Sequence, residues 1–175
     1  MIVLGLDLGI AHTGWCLMEF NRPDSVDILE FRDFGVIETV KNAGPLAMTA
    51  SEDNFRRVSE VYEGLRGMPD GIYSVCVEAM SFPRSSSAAA KTAMCWGALA
   101  AIVTERCLEA HMMSPQAVKK RVCGVQTASK LDVQAAVEAL YPETRGRIKK
   151  SKAEHAYDAV AVTLACVYSG KLRIT

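Results

Sequence analysis

The chain has 175 residues, half of them apolar and 23% charged, with Lys plus Arg equal to Asp plus Glu at 20 each. This is the make-up of a soluble globular protein with mass for one domain and a core of its own, and residues 1–175 are expected to form that single domain. No run approaches the roughly 20 apolar residues of a membrane span, and no basic n-region opens the chain, so neither a bilayer segment nor a signal peptide is expected.

The first element is an apolar run, Ile2 to Leu6, that ends in Asp7 and is bounded by Gly9. With β-branched Ile2 and Val3 and no alternation, it reads as a strand buried on both faces. A carboxylate at the end of such a strand is costly unless its charge is compensated. Asp7 is therefore a turn cap, a phosphate-loop acid or a metal ligand. Thr13 to Phe20 reads as a second strand, and a third lies within Val26 to Val40 after the turn signal Asn21-Arg22-Pro23-Asp24. Lys41 to Glu52 is expected to be a loop. Phe55, Val58, Val61, Tyr62 and Leu65 fall at helical spacing, and Gly67-Met68-Pro69-Asp70-Gly71 ends that helix.

Ile72 to Val77 is a second short buried strand, and it too ends in a carboxylate, Glu78. A Ser/Ala-rich loop over Ser81 to Ala90 leads into a helix of about Ala88 to Ala110. Its small residues Ala93, Gly97, Ala100 and Ala101 would admit a close helix or subunit, while Met94 and Trp96 read as core or dimer contacts. Met112 to Ser114 is expected as a short strand and Pro115 at the start of a short helix. Thr127 or Ser129 caps a helix with the stripe Val133, Ala136, Val137 and Leu140, ended by Tyr141-Pro142. A basic loop follows, with five charges in the eight residues Arg145 to Lys152, and then a last helix from about Ala153 to Tyr168. The order is α/β with a mixed five-stranded sheet, flanked by helices on both faces.

Six cysteines, Cys16, Cys76, Cys95, Cys107, Cys123 and Cys166, lie in apolar segments with no C-x-x-C pair, and read as reduced core residues of a cytosolic protein, neither a zinc site nor a disulfide framework. The zero net charge hides an asymmetry: residues 1–80 balance to −7 and residues 111–152 to +6. A basic surface of that kind serves a polyanion or is simply a solvated face.

Four side chains carry the chemistry: Asp7 and Glu78 at strand ends, and His155 and Asp158, three apart on one face of the last helix. Asp158 also suits a helix start and His155 a surface position. Together, carboxylates drawn from distant parts of the chain need cations, and such hard donors suit Mg²⁺ or Mn²⁺. Two such ions can activate water and stabilise the leaving oxygen of a phosphodiester. His155 is then a ligand or a proton carrier.

Leu4-Gly-Leu-Asp7-Leu-Gly9 with Thr13-Gly14, Val77-Glu78 followed by Lys91 and Gly97, Val118-Lys119 with Gly124 and Ala128-Ser-Lys130, and His155-Ala-Tyr-Asp158-Ala together resemble the RuvC family of Holliday-junction resolvases, within the RNase H-like superfamily. The resemblance covers nearly the whole chain. It implies an RNase H-like fold and a homodimer. It also implies two Mg²⁺ per site, with Mn²⁺ as a substitute, and paired nicks of opposed strands in branched DNA. Positions matching Asp7, Glu78 and Asp158 are the family's metal-binding carboxylates, with Asp7 expected between the ions. The position of His155 holds Asp or His, and Lys119 and Lys130 match basic residues that serve the scissile phosphate.

The expected DNA contacts are Phe82, Arg84, Lys91, Lys119, Lys120, Arg121, Lys130, Arg145, Arg147, Lys149, Lys150 and Lys152. The basic ones would neutralise phosphates, while Phe82 would stack on a base or tuck onto the core or a dimer interface. The family's Asp-Pro-Gly is Asp7-Leu-Gly9 here, the loop aromatic lies one place later at Phe82, and the basic loop is longer. The setting implied is a bacterial cytoplasm, with a bacteriophage gene as another origin. Competing functions are a sugar kinase or actin-like ATPase, which needs a second lobe, a less selective flap or fork nuclease, and an inactive junction binder.

Overall fold

The computed structural model describes residues 1–20, 29–43, 48–80, 85–170 and 172, without the side chains of 150 and 151. The strands are β1 (Ile2–Asp7), β2 (His12–Phe20), β3 (Leu29–Glu38), β4 (Ile72–Glu78) and β5 (Glu109–Met113). The helices are α1 (Ala50–Arg66), α2 (Ser86–Glu105), α3 (Pro115–Cys123), α4 (Lys130–Leu140) and α5 (Lys150–Tyr168), with one 3-10 turn at Pro142–Thr144.

The strands form one sheet in the order β3-β2-β1-β4-β5. β1 pairs antiparallel with β2 and parallel with β4, so it sits at the centre with both partners. Its burial on both faces follows from that place. Val3 points into a core built with α3, α4 and α5, and its neighbour Leu4 points the opposite way into a core built with α1 and α2. Cys76 and Val77 divide in the same way along β4.

α5 is the main packing partner of the sheet. From Ala159 to Val167 every residue is buried, the pattern of a helix enclosed on all sides. Two glycines let it lie so close. A Cβ at Gly14 would collide with the His155 carbonyl, and one at Gly5 with the Thr163 hydroxyl and the Ala159 carbonyl.

Several boundaries differ from the sequence expectation. α1 begins at Ala50, inside the segment read as a loop, because Thr49 and Glu52 form a reciprocal capping box. α2 starts earlier than expected, capped by Ser85, and stops at Glu105. The five residues to Met113 that follow Leu108 pair with β4 as the edge strand β5, which is longer and earlier than the expected Met112–Ser114. α5 begins at Lys150, so Lys150 and Lys152 belong to its first turn and not to a basic loop.

α2 is also long and apolar enough, by length and composition, to cross a membrane, against the expectation that no segment is, and most of its residues are not buried. Isolated Lys, Thr and Ser residues break its apolar run in the sequence without making the helix polar. Its buried side holds Cys95, Ala98, Leu99 and Ile102, whereas Ala93, Gly97, Ala100 and Ala101 are exposed.

Candidate active site

Asp7 ends β1 and Glu78 ends the adjacent parallel strand β4, so the two acids reach the same edge of the sheet. This is where open α/β sheets place their functional groups, beyond the carboxyl ends of central strands. Asp7, Leu8, Glu78, Ala79, Met80, Thr92 and Trp96 line a cleft of about 110 Å³ there. α5 brings the other pair. His155 Nδ1 lies 2.7 Å from Asp7 Oδ2, a hydrogen bond in which the carboxylate accepts.

The charges of the group act on one another. Burial pushes the Glu78 carboxyl up to about 7, and the Asp7 and Asp158 charges push the same way against Lys119 and Lys130. Burial likewise takes Asp158 up to about 6, with Asp7 adding to it and Lys130 and His155 opposing. The hydrogen bond to Asp7 raises His155 above its ordinary value, although burial works against the charged form. Burial lowers Lys130, but its bond to Glu154 and the Asp158 and Asp7 charges outweigh this and raise it. Three acids that repel one another in a half-buried cleft, with an imidazole beside them, are the donor chemistry of a hard divalent cation. Among the described residues, no group of three or more His, Cys, Asp or Glu side chains is closed tightly enough to hold a metal ion as it stands.

The turn that follows Asp7 is tied at every carbonyl from Gly9 to Ala11. The buried Thr13 hydroxyl donates to Gly9 O at 2.8 Å. Thr39 donates through Oγ1 to Ile10 O at 2.5 Å and through its amide to Ala11 O at 3.1 Å. Arg57, buried in α1, donates to that same Thr39 hydroxyl at 2.8 Å. The backbone that carries Asp7 is thus braced from β3 and α1.

The basic residues divide into two sets. Lys130 pairs with Glu154 at 3.0 Å, Arg145 with Glu138 at 3.7 Å and Arg147 with Asp33 at 2.6 Å. Lys152 pairs with Glu38, and Arg121 donates to the Tyr168 carbonyl. The Arg147 guanidinium also lies over the rings of Phe31 and Phe34, at 5.7 and 5.6 Å. The part of the chain expected to be a free basic loop is therefore strapped to β3 and α4. Lys91, Lys119, Lys120 and Lys149 have no ion pair among the described residues. Phe82 and Arg84 lie outside the described residues, as does the Lys150 side chain.

Two residues of the site escape a reading of the sequence. His12, the first residue of β2, stacks on His155 with ring centroids 5.3 Å apart. Glu154 holds Lys130 and places Oε1 3.7 Å from His155 Nε2. The adjacency of Glu154 to His155, and of His12 to Thr13-Gly14, is all the sequence offers for either.

The family model described as crossover junction endodeoxyribonuclease RuvC matches residues 3–166. The crossover junction endodeoxyribonuclease RuvC of Natranaerobius thermophilus is 29% identical over 175 residues, spanning 99% of this chain and 98% of its own. Among solved structures, T. thermophilus RuvC in complex with Holliday junction substrate is similar at a TM-score of 0.73 and 23% identity, with 98% of this chain and 95% of that chain covered. The Fowlpox virus resolvase, in complex with its substrate Holliday junction DNA, is similar at a TM-score of 0.61 and 14% identity, with 97% and 98% covered. At those identities the two structures speak for the fold.

Proposed function

The chain belongs to the RuvC family of crossover junction endodeoxyribonucleases, and from that premise we propose that residues 1–175 act as one metal-dependent nuclease domain that resolves four-way DNA junctions by paired nicks. The observation that carries the reading is Asp7. It stands at the end of the central strand, adds its charge to the burial that raises Glu78 and Asp158, and receives a hydrogen bond from His155.

Asp7, Glu78 and Asp158, with His155, would hold two Mg²⁺, with Mn²⁺ able to replace them. Bound there, the ions would lower the pKa of a water and stabilise the oxygen that leaves the phosphorus. The chain's own groups do the rest. With Nδ1–H on Asp7, His155 keeps the Nε2 lone pair for a ligand or a proton. Lys119 and Lys130 bring positive charge to the edge of the acid cluster, where the scissile phosphate gains charge in the transition state. Lys91, Lys120 and Lys149, which are not engaged in ion pairs among the described residues, are the better contacts for the flanking phosphates, and Arg145, Arg147 and Lys152 act first on the fold. A second copy is proposed to cover the exposed apolar side of α2, which pairs two sites for two nicks.

Labelled synthetic junctions, forks and linear duplex, each with Mg²⁺ or EDTA, test the reading. Metal-dependent symmetric nicking of the four-way junction, with the linear duplex spared, is the expected result. No metal-dependent nicking of any substrate removes the enzymatic assignment. Equal cutting of linear duplex removes the selectivity.

A further inference from the structure

Each ring nitrogen of His155 has a neighbour, Asp7 at Nδ1 and Glu154 beside Nε2, and the ring face meets a third. A hydrogen bond from Nδ1 to Asp7 fixes one point of the ring. It leaves rotation about Cβ–Cγ soft, because torsions onto a planar ring have broad wells. Something else must set the plane of the imidazole if Nε2 is to stay turned in one direction.

His12 does stand against that face, with an interplanar angle of 20° and centroids 5.3 Å apart. The stack has a cause in the packing. Residues two apart on a strand share a face, so His12 and Gly14 both look towards α5. Gly14 has no side chain, and the His155 carbonyl occupies the space where one would be. The separation of β2 from α5 is therefore set by backbone contact, and His12 is the next residue along that face with a side chain to fill the gap.

His12 is itself held. Its backbone pairs with Glu38 on β3, and the Glu38 carboxylate accepts a bond from Lys152 of α5. On the other flank Glu154 accepts from Lys130 and lies beside His155 Nε2. The stack thus sits between two ion pairs that join α5 to β3 and to α4.

We propose that His12 is a positioning residue for the nuclease: its ring, stacked on His155, sets the imidazole plane so that Nδ1 stays on Asp7 and Nε2 stays presented to the metal site. The inference rests on the place given to His155 above, but its first test needs neither metal nor DNA. In the metal-free protein, at a pH far enough above the raised value of His155 that the ring is neutral, nitrogen NMR reads which nitrogen carries the proton. Wild type should show one tautomer, with the proton on Nδ1. His12→Phe keeps a flat face and should keep that spectrum. His12→Leu keeps bulk without a face and His12→Ala keeps neither, and both should give a mixture of tautomers. Thermal melting of all three separates this change from unfolding.

In cleavage assays, Leu and Ala should raise the Mg²⁺ needed for half-maximal rate by about tenfold, a typical size for losing support behind a ligand, with little change in rate at saturating Mg²⁺. Phe should restore the wild-type requirement. A wild-type His155 spectrum in both Leu and Ala overturns the proposal, and so does a Phe variant that behaves like Leu. A wild type that cuts no junction counts against the nuclease reading instead, and leaves the spectral comparison to decide the stack.

Discussion

Burial raises the Glu78 carboxyl to about 7 and that of Asp158 to about 6, and the Asp7 charge adds to both. An acid whose value in the folded protein lies above its ordinary one favours the folded state while protonated. For Glu78 that contribution is complete below the ordinary 4.5 and is lost as the pH rises through about 7. Asp158 behaves alike, over the range from its ordinary 3.8 to about 6. His155 is also raised, so its contribution too is present in acid and lost at higher pH. In EDTA, Glu78→Gln should therefore unfold later than wild type at pH 8, by on the order of 2 kcal/mol, and the two should converge below about pH 4.5. Mg²⁺ should reverse the order at pH 8 by binding only the intact acid set. A Gln variant less stable than wild type at pH 8 in EDTA would contradict the repulsion argued for this cleft. The same variant should lose cleavage by about a thousandfold or more while holding junction DNA as well or better, since a negative charge facing phosphate is gone. At this scale Asp7, Glu78 and Asp158 are legible in the sequence, because each is a charge set in or against an apolar run. His12 and Glu154 are not, since only the approach of β2 and α4 to α5 gives them partners.

Among the elements, α5 and β2 depend on one missing side chain. The Gly14 backbone meets the His155 backbone, so a Cβ there has no flexible neighbour to displace. Gly14→Ala should destabilise the protein by on the order of 3 kcal/mol, measured by denaturant unfolding, and should remove cleavage in whatever fraction remains folded. Full activity at wild-type stability would mean that the two backbones can part without consequence. β1, β2, β4 and the body of each long helix can be read from apolar runs and helical spacing. The ends are harder. The capping box at Thr49 and Glu52 stands a few residues beyond Gly44-Pro45, which reads as loop. Among the described residues β5 pairs with β4 alone and is mostly exposed, so its sequence lacks the apolar signature of β1. The basic run Arg145 to Lys152 looks free in the sequence because Asp33, Glu38 and Glu138, its partners, come from other parts of the chain.

For the molecule as a whole, the uncovered side of α2 is the feature that one copy of the chain leaves unexplained. Ala93, Gly97, Ala100 and Ala101 share it, and a Cβ at Gly97 meets nothing within 4 Å. Gly97→Glu should therefore leave the folded monomer intact, and even favour the helix by about 1 kcal/mol over glycine. A second copy packed there would have to bury that carboxylate. Sedimentation should then show a monomer, and junction cleavage should fall from paired cuts to slow single nicks. A dimer that survives Gly97→Glu with paired cutting would place the interface elsewhere.

Asp7 and His155 are 148 residues apart along the chain and 2.7 Å apart in space. A ribosome therefore makes Asp7 and Glu78 before α5, and neither acid has its partners on that helix until α5 follows. Because α5 is also the centre of one core, a chain cut or stalled ahead of it lacks both the packing and the completed acid cluster. On the site proposed for Asp7, Glu78, His155 and Asp158, such fragments should cut no DNA without any inhibitor to restrain them, and a chain that is broken or loses its fold should be disarmed in the same event.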